Sequence, residues 1–346
     1  MEKQCIGIDI SKDYLDCCFG TSDSSQNQKF GKSKRFSNDY CGFKELLQWS
    51  DEQNASASRQ VYYIMEATGI YYENLAYFLN EHDCKLSVLL RNMVKHYSLS
   101  LNVKTKTDQK DSEVLCRLGL ERKLSTWNMP TKIMRDLKFL SREYREAKAK
   151  ITQAKNQLHA KQYSHDCPAT TQKRLEKQVS LLELQFLEIE AELRLLAISD
   201  AGFYDKVEKI CSIPGISFIT TICIIAETNA FALITNVRQL ASYAGLDIQH
   251  NQSGNKQGKT RISKKGNSFI RHALYMPALC ATRFNPLMKE FYNNLKDRKP
   301  AKKIAVIAVA RKLLILIYKL WKSNMEFDPN YKENKKVDRI APAYTE

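Results

Sequence analysis

Apolar runs of strand length alternate with longer amphipathic segments in the first third of the chain. Short runs rich in β-branched and aromatic residues predict strands in QCIGIDI, SKDYLDCCFG, VYYIMEATG and KLSVLL. Apolar residues at helical spacing predict helices in GFKELLQWS, YYENLAYFLNEHD and DSEVLCRLGLERK. The polar stretch after SKDYLDCCFG predicts a loop. This order predicts an α/β sheet over residues 1–130, with an antiparallel hairpin at one side.

The middle of the chain changes to a heptad pattern. Apolar or small residues recur at gaps that alternate between four and three from Ile133 to Leu158, and again from Leu175 to Leu196. Pro168 marks the break between the two runs. The spacing predicts two long helices that form an antiparallel coiled-coil hairpin over residues 131–199. A seam between molecules and two ordinary bundle helices are the alternatives.

Glycine and proline interrupt helical segments in residues 200–327, which predicts a mainly α-helical third region. Its most apolar stretch runs from Ile304 to Trp321 and carries Arg311 and Lys312 near its middle. Because charges at that position are costly in a bilayer, we expect a buried helix and no membrane span. Residues 328–346 are polar and predict a disordered tail.

Basic residues exceed acidic residues by 54 to 38, which gives a formal net charge of +16. Such a surplus favours a polyanionic partner such as nucleic acid, and a solvated positive surface is the alternative. The 10 cysteines form no C-x-x-C pair, which argues against a zinc ribbon or a thioredoxin-like site. Since no signal peptide precedes the first strand, we expect a reducing, cytoplasmic compartment.

Four acidic residues stand where an α/β sheet gathers functional groups. Asp9 and Glu66 end two strong strands, and Asp108 and Asp111 lie on the first turn of a later helix. Like charges three residues apart on a helix repel each other. Mg²⁺ takes oxygen ligands and offsets that repulsion, so the four carboxylates predict a metal site. The alternative is a set of unrelated solvated acids, with Thr107 capping the helix and Asp108 favouring its positive end.

Three of these segments, in this order, resemble a family of DNA-recombining enzymes. GIDISK, MEATGIYYENLA and KTKTDQKDSEVL resemble the RuvC-like DEDD domain of the one-ten family of insertion-sequence transposases, which is related to Piv-type DNA invertases. The resemblance continues through KICSIPGISFITTICIIAE, LASYAGLD and SGNKQGKTRISKKGNSFIRHALYMPAL. The resemblance covers both end regions of the chain. In the middle hairpin only the general character of the segment is similar.

The resemblance implies an RNase H-like fold in the first domain. It implies that four acids bind Mg²⁺, namely Asp9, Glu66, Asp108 and Asp111. It also implies that the domain over residues 200–327 supplies a serine that forms a covalent phosphoserine link to a DNA end. The matching position is Ser253 in NQSGNKQG, and Ser263 and Ser268 in the same segment are rivals. Covalent capture would keep the phosphodiester energy, so strands could be rejoined without ATP.

The family resemblance also implies partners. Family members act on donor and target DNA with a structured noncoding bridge RNA that pairs with both. They assemble as tetramers built from dimers, and the predicted coiled coil is a natural contact between protomers. The implied activity is that of a DNA transposase or recombinase.

Two segments of the last region predict contacts with nucleic acid. The first is basic and contains no acid; its cations are Lys256, Lys259, Arg261, Lys264, Lys265 and Arg271. Such a segment positions a phosphate backbone without reading its sequence, and a mobile solvated loop is the alternative. The second is IPGIS around Gly215, which resembles the hairpin of a helix-hairpin-helix module. These hairpins usually carry a second glycine where this chain has Ser217.

Three other functions would each explain some of these features. A RuvC-like nuclease would use metal-activated water and leave Ser253 structural. An actin-like ATPase or sugar kinase would bind nucleotide near Asp9, but the chain lacks the glycine-rich phosphate loops that such proteins repeat. A noncatalytic RNA-binding protein would tolerate loss of Asp108.

Overall fold

The computed structural model describes residues 2–54, 60–67, 69–101, 107–232, 234–249, 252–253, 256–257, 261–298 and 301–330. The chain divides into two compact units, Met1–Met129 and Pro130–Glu346. Most of the predicted polar tail, residues 331–346, lies outside the described residues. The further division of the second unit near residue 199 stays a prediction.

The first unit is α/β, as the sequence predicts. Its strands are β1 (Lys3–Ile10), β2 (Tyr14–Ser22), β3 (Gln28–Phe30), β4 (Lys34–Ser37), β5 (Val61–Glu66) and β6 (Lys85–Leu89). Its helices are α1 (Tyr40–Gln53), α2 (Glu73–Glu81), α3 (Arg91–Ser100) and α4 (Asp108–Glu121). The predicted loop after β2 is wrong in part, because β3 and β4 form there. These strands have only three and four residues, too few for a clear alternating pattern. Helix α3 was also not predicted.

One mixed sheet holds the six strands found among the described residues of this unit. The order is β3-β2-β1-β5-β6, and β4 also pairs with β2. Strand β1 runs antiparallel to β2 and parallel to β5, so the predicted hairpin is confirmed. The registers place Asp9 opposite Asp16 and Ile8 beside Met65. Because β1 and β5 are parallel, their last residues, with Asp9 and Glu66 among them, meet at one edge of the sheet.

Helix α4 lies directly on β1 because β1 carries a glycine at the contact. A Cβ atom on Gly7 would stand 2.1 Å from the carbonyl oxygen of Ser112 and 2.2 Å from the amide nitrogen of Cys116. Residues two apart on a strand face the same side of the sheet, so Gly7 and Asp9 both face α4. The glycine therefore brings the first turn of α4 close to Asp9.

The second unit is mainly helical, as predicted. Its helices are α5 (Lys132–Gln162), α6 (Ala169–Ile198), α7 (Ala201–Cys211), α8 (Phe218–Glu227), α9 (Val237–Tyr243), α10 (Ser268–Phe284), α11 (Pro286–Lys296) and α12 (Lys302–Ser323). Its short strands are β7 (Ile248–Gln249), β8 (Gln252–Ser253), β9 (Lys256–Gln257) and β10 (Arg261–Ile262). The strands belong to the loop that carries Ser253.

Helices α5 and α6 form an antiparallel hairpin along the predicted heptad seam. The rings of Tyr144 and Phe186 lie 4.5 Å apart, and Lys155 Nζ lies 2.7 Å from Glu183 Oε1 farther along the pair. Pro168 is the residue before α6, at the predicted break. The two helices and their contact face are confirmed, and the supercoil that defines a coiled coil stays a prediction.

Helix α12 occupies the core of the second unit. Val309, Leu313 and Ile317 are fully buried on it, as expected for an apolar helix inside a protein. Within the described part of the chain, no helix combines the length and the apolar character that a membrane crossing needs.

Candidate active site

The four predicted acids come from the strand ends and from the start of α4. Asp9 is the last residue but one of β1, and Glu66 is the last residue of β5. Asp108 and Asp111 occupy the first turn of α4, whose amino end is capped by the Thr107 hydroxyl. A capping hydroxyl and acidic side chains both stabilise the amino end of a helix. The sequence therefore favours a helix that begins at this point, with both acids on its first turn.

The pKa of Asp9 shows that the acids gather around this residue. Burial and, to a smaller extent, the negative charges of nearby acids together raise the pKa of the Asp9 carboxyl from 3.8 to about 6. Those acids are Asp111, Asp108, Glu66 and Asp16, in decreasing order of effect. The structure therefore brings the four sequence-predicted acids together and adds Asp16 to them.

The donor set suits a hard divalent cation, because it consists of carboxylate oxygens crowded round a partly buried acid. In this structure, however, no three of the described acidic, histidine or cysteine side chains are close enough together to share one ion. Two arginines reach the acids. Arg35 Nη2 lies 3.4 Å from Asp108 Oδ2, and Arg91 Nε lies 3.9 Å from Glu66 Oε1. The carboxylates are gathered without forming a closed set of metal ligands.

Asp16 and Arg35 were not predicted from the sequence. Asp16 is 4% exposed on β2, and Arg35 lies opposite it on β4. The ion pair crosses two strands, one of which has too few residues to be predicted. The apolar run of β2 could only have shown that an acid stands among buried residues.

The described parts of the segment that carries Ser253 form two short antiparallel ladders. The segment, residues 248–262, is here called the serine arm. Strand β7 pairs with β10 at one end of the arm, and β8 pairs with β9 between them in the chain. Ser253 pairs with Lys256 in the last described rung of the β8–β9 ladder. The side chains of Ser253 and Lys256, and all of Lys259, lie outside the described residues.

Side-chain hydrogen bonds fix the base of the serine arm. The Ser263 hydroxyl donates to a carboxylate oxygen of Asp247, and the Ser263 amide donates to the Asp247 carbonyl at 2.9 Å. Ser268, the other rival serine, is the first residue of α10 and follows the helix cap Asn267. The hydroxyl of Ser263 thus has a structural partner at the base of the arm, whereas Ser253 lies in the β8–β9 ladder.

Arg271 contacts the same base. Its Nη1 atom donates to the carbonyls of Ala244, Gly266 and Asn267 at 2.9, 3.0 and 3.2 Å. The predicted phosphate contact of Arg271 stays a prediction, and these bonds give the side chain a role in holding the loop. Lys264 and Lys265, also predicted to contact nucleic acid, are exposed beside it.

A buried carboxylate links the base of the arm to α5. Glu227 is 2% exposed and accepts hydrogen bonds from Arg142 Nε at 2.6 Å and from Asn267 Nδ2 at 2.6 Å. The Tyr243 hydroxyl donates to the Glu227 carbonyl at 2.7 Å. We call Arg142, Glu227, Tyr243 and Asn267 the Glu227 hub. It joins α5, α8, α9 and α10, and nothing in the sequence pattern predicted it.

The predicted hairpin around Gly215 joins α7 to α8, as in a helix-hairpin-helix. Gly215 has φ +96°, and a Cβ atom there would stand 3.2 Å from the amide nitrogen of Ala281. Glycine is therefore required by backbone conformation and by close packing on α10. Ser217 caps α8 by accepting a hydrogen bond from Thr220, which explains the serine at this position. The phosphate contact of Gly215 stays a prediction.

Comparison with known proteins matches both regions of the chain that carry these features. A family model for DEDD transposases of the IS110 group matches residues 6–161, which include the four acids. A second model, described as transposase IS116/IS110/IS902 family, matches residues 207–293, which include the serine arm. The chain belongs to the IS110 family of transposases. Members of this family recombine DNA, so the substrate of the chain is DNA.

Similar proteins agree with this family assignment. The chain is 29% identical to the pilin gene-inverting protein of Moraxella lacunata, over 96% of this chain and 100% of that protein. It is 29% identical to the protein of the same name from Moraxella bovis, with the same shares covered. A transposase for insertion sequence element IS1111A from Coxiella burnetii is 31% identical over 24% of this chain and 22% of that protein. The similarity to the two inverting proteins extends over both units of the chain.

Proposed function

We propose that this IS110-family transposase cuts and rejoins DNA through a phosphoserine intermediate, with Mg²⁺ held at the four acids. The observation that carries the proposal is the gathering of Asp108, Asp111 and Glu66 around Asp9, where α4 packs on Gly7 of β1. An RNase H-like fold for the first unit is part of the proposal. A mixed sheet with acids at the ends of its parallel strands supports it.

The proposed chemical step uses Ser253 as the nucleophile. The Ser253 oxygen forms a bond to phosphorus, the bond from phosphorus to the leaving strand oxygen breaks, and the hydroxyl proton passes to the leaving oxygen. A bound Mg²⁺ would supply Lewis acidity at the phosphate. The phosphoserine keeps the energy of the phosphodiester, so a strand hydroxyl can reverse the step and join new ends. The place of Ser253 in the β8–β9 ladder, away from the hydrogen-bonded base of the arm, supports this role.

The proposed DNA and RNA contacts use the basic residues of the arm and its base. Arg261, Lys264 and Lys265 are exposed or partly exposed beside the serine arm. Together with the net charge of +16, they support contact with phosphate backbones of donor and target DNA and of a bridge RNA.

A homo-oligomer, proposed as a tetramer built from dimers, is supported by the outer face of α6. Five large apolar side chains on this face are more than half exposed: Leu181, Leu184, Leu187, Leu195 and Ile198. They lie on the opposite side of α6 from the seam with α5, so the hairpin presents a second apolar stripe. The spacing of this stripe suits a second copy of the hairpin, and size-exclusion chromatography with light scattering on Leu184→Lys and Leu195→Lys tests that contact.

The experiment that tests the chemistry looks for the covalent intermediate. The purified chain is mixed with Mg²⁺, end-labelled DNA of the element ends, and RNA transcribed from the flanking noncoding region. We expect a protein–DNA adduct on a denaturing gel that requires Mg²⁺ and is lost in Ser253→Ala and in Asp108→Asn. Mass spectrometry of the digested adduct identifies the modified serine.

Two rival serines serve as matched controls. Ser263→Ala and Ser268→Ala should leave an adduct that maps to Ser253, although Ser263→Ala loosens the arm. An adduct that persists in Ser253→Ala contradicts the serine assignment. Strand cleavage that continues without any adduct supports the metal-dependent nuclease instead.

A further inference from the structure

Arg35 extends the row of acids across the sheet. It pairs in register with Asp16, and Asp16 pairs in register with Asp9. Residues that face each other across neighbouring strands place their side chains on the same side of the sheet. Arg35 therefore faces the side on which α4 presents Asp108, and its Nη2 atom lies 3.4 Å from Asp108 Oδ2. A guanidinium stands at the edge of the proposed metal site.

A buried carboxylate fixes the orientation of this guanidinium. Arg35 Nε donates to Asp16 Oδ1 at 3.1 Å, and Nη2 donates to Asp16 Oδ2 at 2.8 Å. The Asp16 side chain is 6% exposed, while that of Arg35 is 52% exposed. A bidentate pair holds the guanidinium plane in one orientation. Among the described residues, the Nη1 atom of Arg35 has no hydrogen-bond partner, so two N–H donors are available in a fixed position.

The charge of the site shows which ligand would use these donors. Five carboxylates gather at Asp9, and a polyanionic DNA strand that approaches them is repelled. A divalent ion offsets only part of this charge. Arg35 lies beside Asp108 at one end of the acid row, and Arg91 lies beside Glu66 at the other. Because the Nη1 N–H groups carry a permanent positive charge and donate hydrogen bonds, a phosphate oxygen of DNA is the anion that fits them.

We propose that Arg35, oriented by Asp16, binds a non-bridging oxygen of the reacting phosphate at the acid site. The inference rests on the proposed function, since it needs the acids to act on DNA. In this arrangement Nη1 contacts the phosphate, and Nε and Nη2 stay on Asp16. Asp16 is then a positioning residue that acts through Arg35.

Single-turnover cleavage by the full-length chain, with the same DNA, RNA and Mg²⁺, tests the inference. At saturating DNA we expect Arg35→Ala to lower the cleavage rate on the order of 100-fold, as removal of a transition-state donor does. Arg35→Lys should recover only part of the rate, because lysine cannot hold Asp16 with two bonds and also reach phosphate. Added guanidinium at a low, non-denaturing concentration should restore part of the Arg35→Ala rate.

Two variants control for misfolding and for the general loss of a positive charge. Asp16→Asn with Arg35→Gln replaces the ion pair by neutral hydrogen-bonding groups; it should fold and cleave as slowly as Arg35→Ala. Lys29→Ala removes one exposed positive charge from β3 of the same sheet and should cleave at the wild-type rate.

Three results would overturn the inference, each in a different way. In the first, the neutral double variant cleaves at the wild-type rate while Asp108→Asn is inactive. Arg35 then has no role in the reaction, and the proposed function stands. In the second, the double variant binds Mn²⁺ more tightly and its cleavage rate is unchanged. Arg35 then only neutralises the charge of the acids. If wild-type protein shows no cleavage that depends on Asp108, the proposed function itself fails.

Discussion

The acid site of the first unit and the serine arm of the second are held in place by different physics. The acids lie at the ends of regular elements, and their spacing depends on a glycine contact between β1 and α4. The described strands of the serine arm have only two residues each, and the base of the arm is tied by hydrogen bonds that converge on one buried carboxylate, Glu227. Tight packing positions the first site, and a buried polar network positions the second. The two sites should therefore fail differently when their supports are removed.

The largest effect is expected at the Glu227 hub. Arg142→Met keeps an apolar stem but leaves the Glu227 carboxylate buried without its cation. Breaking such a pair costs roughly 3–5 kcal/mol of unfolding free energy. Urea unfolding would measure the loss, and adduct formation should fall with it.

The neighbouring arginine is the matched control for the hub. The guanidinium of Arg145 also lies over the ring of Phe269, at 3.8 Å from its centre, against 4.2 Å for Arg142. No ion pair to Arg145 occurs among the described residues, so Arg145→Met should cost about 1 kcal/mol or less. Equal losses in the two variants would show that stacking on Phe269, and not the charge pair, supports the arm.

The second effect tests the packing at the acid site. Gly7→Ala forces a Cβ atom into the backbone of α4, which must shift away from β1. We expect a cost of roughly 1–3 kcal/mol and a fall in cleavage of about 100-fold, because the acids move apart. Gly31→Ala is the control, since its Cβ atom would meet nothing closer than 3.5 Å. Full activity in Gly7→Ala would mean that α4 can move without harm to the site.

The elements that hold the acids could be predicted from the sequence because each is local. QCIGIDI and VYYIMEATG each contain an apolar run of strand length, and Thr107 with Asp108 begins a helix within a few residues. The supports of the serine arm could not be predicted in this way. Arg142 and Glu227 lie 85 residues apart, and no periodic pattern links a helix in the hairpin to one after it. The Asp16–Arg35 pair could not be predicted either, because β4 is too short to be recognised from the sequence.

A third effect runs in the opposite direction. Asp9→Asn removes the charge that its neighbours oppose, so the metal-free protein should become more stable. The raised pKa means that ionising Asp9 costs folding energy. The cost is absent below about pH 3.8, grows as the pH rises towards about 6, and is complete above that value. We expect a gain on the order of 1–3 kcal/mol at pH 8 and a smaller gain at pH 5.

Thermal unfolding in EDTA at the two pH values would measure this gain. Asp13→Asn, an exposed acid in the turn between β1 and β2, should give no comparable change. Addition of Mg²⁺ should stabilise the wild type and have less effect on Asp9→Asn. An Asp9→Asn variant that is less stable than the wild type at pH 8 would contradict the clustering of charge at this end of the sheet.

The smallest effect separates packing from phosphate binding in the hairpin between α7 and α8. Ser217→Ala removes the cap of α8 and should cost about 1 kcal/mol, whereas Ser217→Gly should cost only a few tenths. Glycine at this position is also what a phosphate-binding hairpin usually carries, and it exposes more backbone. If the hairpin contacts DNA, Ser217→Gly should bind DNA at least as tightly as the wild type, by fluorescence anisotropy at fixed salt. Weaker DNA binding by Ser217→Gly at unchanged stability would instead make the serine hydroxyl the contact. Equal binding by all three proteins would leave Gly215 with its packing role on α10.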